Sequence, residues 1–367
     1  MNPLAAIALT LGRTSSLTLL GALAAAAIAF LLNGLGADHI LVFVVSAIAL
    51  AALATLIGQG TEQLGHRFGP RTTGILQSAL GNLPELFISI FALQAGLVIV
   101  VQTALIGSIL ANVLLVLGLA FFLGGLRNGT QRFQAPAVRT LATLLVLAVA
   151  ALAIPTLATA PGAPDAGHAT DLSVIVSLVL LVVFGASIPF SISGGVGASA
   201  ELDVAPEAPI WPLGLTLGVL LLGAGTAAIT SDLFVEALRP TMASLRMSEA
   251  FVGLVIVAIA GNAVENVVGV RLAIQNKTEL ATSLILNSSL QVAIALTPAL
   301  VLISLVVGGG ALTLVLSPLL LGAVALAAIL AALIVFDGES TWLEGLALLG
   351  LYVIIAASVW YGPPIRA

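Results

Sequence analysis

The chain of 367 residues is 60% hydrophobic and only 7% charged, whereas soluble domains average about 25% charged residues. It could not solvate its surface in water, so the composition excludes a soluble domain and predicts a polytopic membrane protein. The net charge of -5, without any basic run, gives no sign of a nucleic-acid partner. The absence of cysteine excludes disulfides and thiolate metal ligands but leaves the redox compartment open.

The long apolar runs predict transmembrane helices rather than barrel strands, because they are continuous and do not alternate with polar residues. We predict an all-α fold with about eleven spans. They cover residues 15–33, 39–65, 71–94, 97–124, 136–157, 171–191, 211–238, 247–274, 278–307, 311–336 and 341–361. The first run also fits a cleaved signal peptide, although its apolar core, residues 17–32, is long for one.

The distribution of basic residues predicts the orientation. With a cytoplasmic N-terminus, eight of the eleven Lys and Arg residues fall on the cytoplasmic side, against three in the flipped arrangement. The eight are Arg13, Arg67, Arg71, Arg127, Arg132, Arg139, Arg271 and Lys277. We therefore expect the N-terminus inside and the C-terminus outside. The short N-terminal segment favours a prokaryotic cell membrane over a vacuole.

Two copies of one polar motif lie within these apolar runs, 180 residues apart, at residues 81–85 (GNLPE) and 261–265 (GNAVE). The offset persists downstream, since Ser108 and Ser288 each follow the glutamate of their motif by 23 residues. After the first span, the remaining ten form two sets of five, and an odd number makes the second set enter from the opposite side. The sequence therefore predicts one accessory helix followed by two inverted-topology repeats of five helices.

The predicted divisions are residues 1–36 for the accessory helix, 37–192 for the first repeat, 193–210 for a cytoplasmic linker and 211–367 for the second repeat. The linker contains three acidic residues and no basic one. It is either a plain solvated loop or an acidic segment that concentrates cations near the entrance.

Each motif places an amide and a carboxylate on one helix face, because the asparagine precedes the glutamate by three residues. A carboxylate inside a membrane is costly, which marks it as functional. Two carboxylates neutralise a divalent charge, and the oxygen ligands around them suit Ca²⁺. The absence of His and Cys from the motifs disfavours zinc and copper. The candidate ligands are Gly81, Asn82, Glu85, Ser108, Asn112, Gly261, Asn262, Glu265, Ser288 and Gln291.

The motif residues also predict broken helices. Pro84 has no backbone N–H, so the carbonyl of Leu80 loses its helical partner beside Glu85. Such carbonyls are tolerated in membranes where they line a cavity or bind something. The second motif has only Gly261 to loosen its helix, and we expect a milder break there.

Protons bind the same carboxylates when the metal leaves, because two neighbouring anions in a low dielectric cannot both stay ionised. If the protein alternates access only when its charge is neutralised, this competition becomes obligatory exchange. Proton influx would then drive cation efflux.

Residues 81–125 and 261–298 resemble the two repeat motifs of the Ca²⁺/H⁺ antiporter (CAX) family of the cation/Ca²⁺ exchanger superfamily. The resemblance extends over nearly the whole chain and implies eleven helices, with an accessory helix and two inverted halves. It implies that Glu85 and Glu265 are the essential glutamates and that Glu62 is the family's second-helix acid. Its polar partners match Ser108, Asn112, Ser288 and Gln291. The context of Gln102 resembles the proton-coupled branch, and Gln102 and Glu62 are further candidate cation ligands.

Several of these residues have a structural alternative. Asn82 and Asn262 would also serve as interhelical packing residues, and the two serines can bond their own helix backbones. Interhelical packing is also the alternative for Asn112, Gln291 and Gln102. Glu62 can be a plain interfacial charge.

Two other functions compete with Ca²⁺/H⁺ exchange: a Na⁺/Ca²⁺ exchanger of the same superfamily and a passive cation channel. We expect no enzyme, because none of the predicted spans pairs two aspartates or places His beside Ser. We expect no cofactor, with Ca²⁺ as transported substrate, H⁺ as coupling ion and the lipid bilayer as surroundings. The sequence is compatible with a homo-oligomer.

Overall fold

The structure is a computed structural model that describes residues 10–68, 80–133, 135–163, 165–192 and 211–360. The predicted linker, and the first residues of the span predicted at 71–94, lie outside this part. The helices, in chain order, are α1 (Arg13–Gly34), α2 (His39–Phe68), α3 (Leu83–Gln94), α4 (Val98–Asn128), α5 (Ala135–Ala158), α6 (Ala169–Ile192), α7 (Leu213–Leu245), α8 (Glu249–Gly261), α9 (Ala263–Ile274), α10 (Thr278–Val307), α11 (Pro318–Ile334) and α12 (Trp342–Trp360). Strands β1 (Gln131–Arg132) and β2 (Glu339–Ser340) pair antiparallel.

Membrane-crossing length is reached by eight of the described helices, or by nine spans when α8 and α9 are counted as one bent pair. The bend between α8 and α9 is 65°. Two further apolar helices, α3 and α11, are shorter. The prediction of an all-helical membrane protein is confirmed, and the count of eleven spans stays a prediction.

The chain forms two compact units. The first contains α1, α2, most of α3, α7 and the short segment Ala260–Val264. Within it α7 packs along α2, where the rings of Phe43 and Phe234 stack with centroids 4.8 Å apart. The two helices are also tied at one end, since Arg67 Nη2 donates to the carbonyl of Trp211 at 2.8 Å. This bond holds the end of α2 beside the residues that precede α7.

The second unit contains α4 to α6, α10 to α12, and most of α8 and α9. Glycines allow α4 and α8 to cross in close contact. A Cβ on Gly107 would lie 2.5 Å from the Cα of Leu254, and a Cβ on Gly253 would overlap the carbonyl of Val100. Small residues permit such close backbone approach between membrane helices.

The helix predicted at 311–336 begins later, at Pro318, because Gly308–Ser317 is an extended segment. Its first three residues are glycines with φ of 87°, 82° and 127°, a region that favours glycine. Ser317 caps α11 by accepting a hydrogen bond from the Leu320 amide, and proline is favoured in the first turn that follows. The apolar residues before Pro318 are therefore not helical.

Side chains from four helices bind the backbone of this extended segment, as buried peptide groups require in a membrane protein. Gln102 Nε2 on α4 donates to the carbonyls of Thr313 and Val315 at 2.9 and 2.8 Å. The Thr156 hydroxyl donates to the Leu314 carbonyl and accepts from the Leu316 amide. The hydroxyls of Ser173 and Ser304 accept from the amides of Leu314 and Leu312, respectively. Gln102 thus anchors the extended segment.

Replacing Gln102 by alanine is expected to lower the melting temperature, because two backbone carbonyls lose their donor. Each buried acceptor left unsatisfied costs roughly 1–3 kcal/mol. The measurement is thermal unfolding of the purified protein in detergent. Gln275→Ala, at an exposed position, is the matched control. A melting temperature equal to that of the control would contradict the anchoring role.

Candidate cation-binding site

Both motifs lie at a helix start. Because α3 begins at Leu83 and α9 at Ala263, the glutamate of each motif is the third residue of its helix. The asparagine directly precedes the helix, at the position where Asn is a favoured N-cap. The unpaired N–H groups and the dipole of a first helical turn favour negative charge. The two carboxylates therefore occupy equivalent positions, each in the first turn of its helix.

The break in the first motif lies at Gly81 and Asn82, between Leu80 and Pro84. Gly81 and Asn82 form a turn, and Pro84 stands in the first turn of α3, where no helical N–H is needed. The Leu86 amide donates to the Asn82 carbonyl at 2.9 Å. In the second motif the 65° bend occurs without proline. The sequence predicts a milder break in the second motif than in the first. This comparison involves residues before 80, which lie outside the described part.

The structure brings the two motifs together at Glu85. Asn262 Nδ2 donates to Glu85 Oε1 at 2.6 Å, across 177 residues of sequence. Gly261 lies against the same side chain, since a Cβ there would meet Glu85 Cγ and lie 2.9 Å from Oε1. Glu85 is 5% exposed and Asn262 only 1% exposed. The Glu85 carboxylate, in the first half of the chain, thus accepts from the Asn262 amide and lies against the backbone of Gly261, both in the second half.

Gly261 has a further role beside the one predicted. The sequence suggested a residue that loosens the helix, and the structure adds that its missing side chain leaves the space that Glu85 occupies. Asn262, in turn, has both a donor and an acceptor at its amide end. Its donor orients the carboxylate here, and rotation of the amide would present its oxygen to a cation.

A second pair joins the two halves on the neighbouring helices. Asn112 Nδ2 on α4 donates to Ser288 Oγ on α10 at 3.1 Å. Asn112 is fully buried, and Ser108 and Ser288 are 3% and 6% exposed. Gln291, one turn after Ser288, is buried as well. Polar residues that the sequence matched by their offset are therefore buried together in the second unit.

Helices α4 and α10 also share an irregularity of the backbone. In α4 the residues Ala111–Val116 form a π-helical turn, and in α10 so do Val292–Leu296. These segments correspond closely under the offset of 180 residues. π-Turns widen a helix locally and are frequent at functional sites. The sequence repeat therefore extends to a backbone feature beside Asn112 and Gln291.

Glu265 is half-buried in the first turn of α9. Its neighbour Asn266 donates from Nδ2 to the carbonyl of Ile259, at a long 3.4 Å. The bond bridges the bend between α8 and α9. Glu265 therefore stands directly after a break in the helix, as Glu85 does after the turn at Gly81 and Asn82.

Two predicted site residues have other surroundings. Glu62 is exposed near the end of α2, with its side chain at 68% exposure and 3.9 Å from His66 Nε2. The Gln102 amide donates hydrogen bonds to two backbone carbonyls of the extended segment. These bonds fit the structural alternative stated for Gln102, a polar packing contact, and its role as a cation ligand stays a prediction.

Comparison with known proteins gives one consistent relationship. The profile of the sodium/calcium exchanger protein family matches residues 39–193 and 215–361. The chain is 34% identical over 342 residues to a Ca²⁺/H⁺ antiporter of Aphanothece halophytica, covering 89% of this chain and 91% of that protein. It is 35% identical over 357 residues to a Ca²⁺/H⁺ antiporter of Synechocystis sp., covering 92% and 95%.

A solved structure agrees with these relatives. The structure of native YfkE matches with a TM-score of 0.78 at 31% identity, over 92% of this chain and 97% of that one. The residues matched by the family profile, 39–193 and 215–361, include both motifs.

Proposed function

The chain belongs to the Ca²⁺/H⁺ antiporter (CAX) family, and we propose that its exchange of Ca²⁺ for H⁺ runs through Glu85 and Glu265 by alternating access. The bond from Asn262 to Glu85 carries this proposal, because it joins the repeated motifs at a buried carboxylate. Homologues named Ca²⁺/H⁺ antiporters support Ca²⁺ and H⁺ as the exchanged ions. Those relatives are transporters, in keeping with a chain that performs no enzymatic reaction.

The ligand chemistry follows from the two motifs. The two glutamates supply the charge that balances Ca²⁺, and Asn82 and Asn262 supply neutral amide oxygens. Ser108, Asn112, Ser288 and Gln291 extend the polar lining along α4 and α10. Carbonyls near Gly81 and Gly261 complete the oxygen shell. Ca²⁺ is the transported substrate and H⁺ the coupling ion, and no cofactor is required.

Exchange arises because metal and protons compete for the same carboxylates. A buried pair of negative charges is costly without a counter-charge. The protein therefore reorients with either Ca²⁺ or protons bound, and the empty charged state does not reorient. This restriction couples proton entry to Ca²⁺ exit. Glu62, exposed at the end of α2, is placed to attract cations toward the site.

The topology of the proposal is an accessory helix followed by two inverted halves of five spans, divided at residues 36, 192 and 210. Three features support this topology: the two motif copies, the matched helix starts at Leu83 and Ala263, and the matched π-turns. We place the protein in a prokaryotic cell membrane, with the N-terminus cytoplasmic and the C-terminus outside. The chain is integral to the membrane, and a homo-oligomer is compatible with this arrangement.

The test is an assay in proteoliposomes with an imposed pH gradient. Adding Ca²⁺ is expected to collapse the gradient with saturable kinetics, and the apparent affinity for Ca²⁺ should fall as pH is lowered from about 8 to 6, because protons occupy the carboxylates. Affinity that is independent of pH in this range would contradict shared carboxylates.

The same assay separates the competing functions. Ca²⁺ transport that requires a sodium gradient would indicate a Na⁺/Ca²⁺ exchanger. A Ca²⁺ flux that does not saturate and moves no protons would indicate a channel. Protein-free liposomes measure the leak in each case.

A further inference from the structure

The first turn of α5 carries an arginine whose surroundings the transport function does not explain. Arg139 is the second residue of the membrane-crossing stretch Val138–Ala158. Its guanidinium carbon lies 4.5 Å from the ring centroid of Phe336. Nε is buried and has no hydrogen-bond partner among the described residues. A permanent positive charge therefore lies at the end of a span, and none of the ion pairs among the described residues involves it.

The acidic residues near this end of the unit are bound elsewhere. Glu339 Oε1 accepts from Arg132 Nε at 3.0 Å, and Asp337 Oδ1 accepts from the Glu339 amide at 3.1 Å. Glu344 Oε2 accepts from the amide and hydroxyl of Thr341. The charge of Arg139 thus stays available for an anion from outside the chain.

The aromatic side chains at this end of the unit are exposed rather than packed in a protein core. Phe336 is 65% exposed, and Trp342, the first residue of α12, is 45% exposed. Pairing of β1 with β2 brings the residues before α5 and before α12 to the same end of the unit. Exposed aromatic rings at helix ends are typical of the membrane interface, where long basic side chains reach toward headgroups.

We infer that Arg139, with its guanidinium stacked on Phe336, binds the phosphate of an anionic phospholipid. Guanidinium groups pair with phosphate through two parallel hydrogen bonds. Stacking on the ring fixes the plane of the guanidinium, so less freedom is lost when the headgroup binds. Lipid phosphates lie at the membrane interface, so an arginine at the end of a span would meet a lipid rather than a soluble anion.

Native mass spectrometry of the purified protein tests this inference, with dioleoyl phosphatidylglycerol and dioleoyl phosphatidylcholine as probes. The wild-type protein is expected to retain more phosphatidylglycerol than phosphatidylcholine. Arg139→Gln should lower the fraction carrying phosphatidylglycerol by at least about fivefold, because the phosphate loses its charged partner. Arg132→Gln is the matched control, since Arg132 is exposed and paired with Glu339, and it should retain the lipid as the wild type does.

Two further measurements keep the inference falsifiable. Phe336→Leu preserves an apolar side chain but removes the ring, and it should weaken retention even if Arg139→Gln does not fold. Inorganic phosphate, added in place of lipid, should not raise the melting temperature of the wild type, whereas phosphatidylglycerol should. Equal retention by wild type, Arg139→Gln and Phe336→Leu would overturn the inference, and so would an equal effect of the two lipids or of free phosphate.

Discussion

Glu85→Gln and Glu265→Gln are each expected to abolish Ca²⁺-dependent proton release from proteoliposomes. Glutamine keeps the shape of the side chain but removes the charge and the titratable oxygen. Two unit charges about 4 Å apart attract by about 4 kcal/mol at an effective dielectric constant of 20, which corresponds to roughly a thousandfold in affinity. The measurement is proton release after Ca²⁺ addition, read with a pH-sensitive dye inside the vesicles.

Asp171→Asn is the matched control for this experiment. Asp171 is an exposed carboxylate in the first turn of α6, 3.2 Å from His168 Nδ1. Its neutralisation removes one negative charge of the protein without touching either motif, so transport should be unaffected. Near-normal transport by both glutamate variants would refute their role as shared carriers of metal and protons.

The helices were largely predictable from the sequence, because the bilayer sets how long an apolar run must be. The span predicted at 136–157 is α5, and the span predicted at 341–361 is α12. In both cases the bounds differ by one residue at each end. Apolar length alone carries this information, and it needs no knowledge of which helices are neighbours.

Hydropathy failed where an apolar segment is not helical. The residues before Pro318 are as apolar as a helix core, but the side chain of Gln102 and hydroxyls on three other helices bind their backbone. All of these partners except Ser304 are distant in sequence, so no local pattern reveals them. The run of three glycines at 308–310 was the available signal.

The candidate site was predictable as a set of residues but not as a set of contacts. The offset of 180 residues indicated that the two motifs belong together, and the Asn-x-x-Glu spacing suggested an amide and a carboxylate acting within one motif. In the structure the amide of Asn262 bonds the carboxylate of Glu85 in the other motif. The same spacing is also a helix-start pattern, and it would have placed the beginnings of α3 and α9 at Leu83 and Ala263.

Gly261→Ala is expected to weaken the apparent affinity for Ca²⁺ by about tenfold or more. The added methyl group would overlap Glu85 Cγ and lie 2.9 Å from Oε1, so the carboxylate must move away from Asn262. Overpacking of this kind costs about 1–3 kcal/mol, and the carboxylate is the group with freedom to shift. The measurement is the Ca²⁺ concentration at half-maximal proton release.

Gly218→Ala provides the control, because a methyl group at that exposed position of α7 meets nothing within 4 Å. It adds the same atom to a helix of the same unit and should leave the affinity unchanged. The two possible roles of Gly261 differ in which kinetic constant responds. A glycine that only loosens the helix would, on replacement, slow the maximal rate at unchanged Ca²⁺ affinity, because the ligands would stay in place. A glycine that makes room for Glu85 must alter the affinity, and an effect confined to the maximal rate would contradict the contact that joins the two motifs.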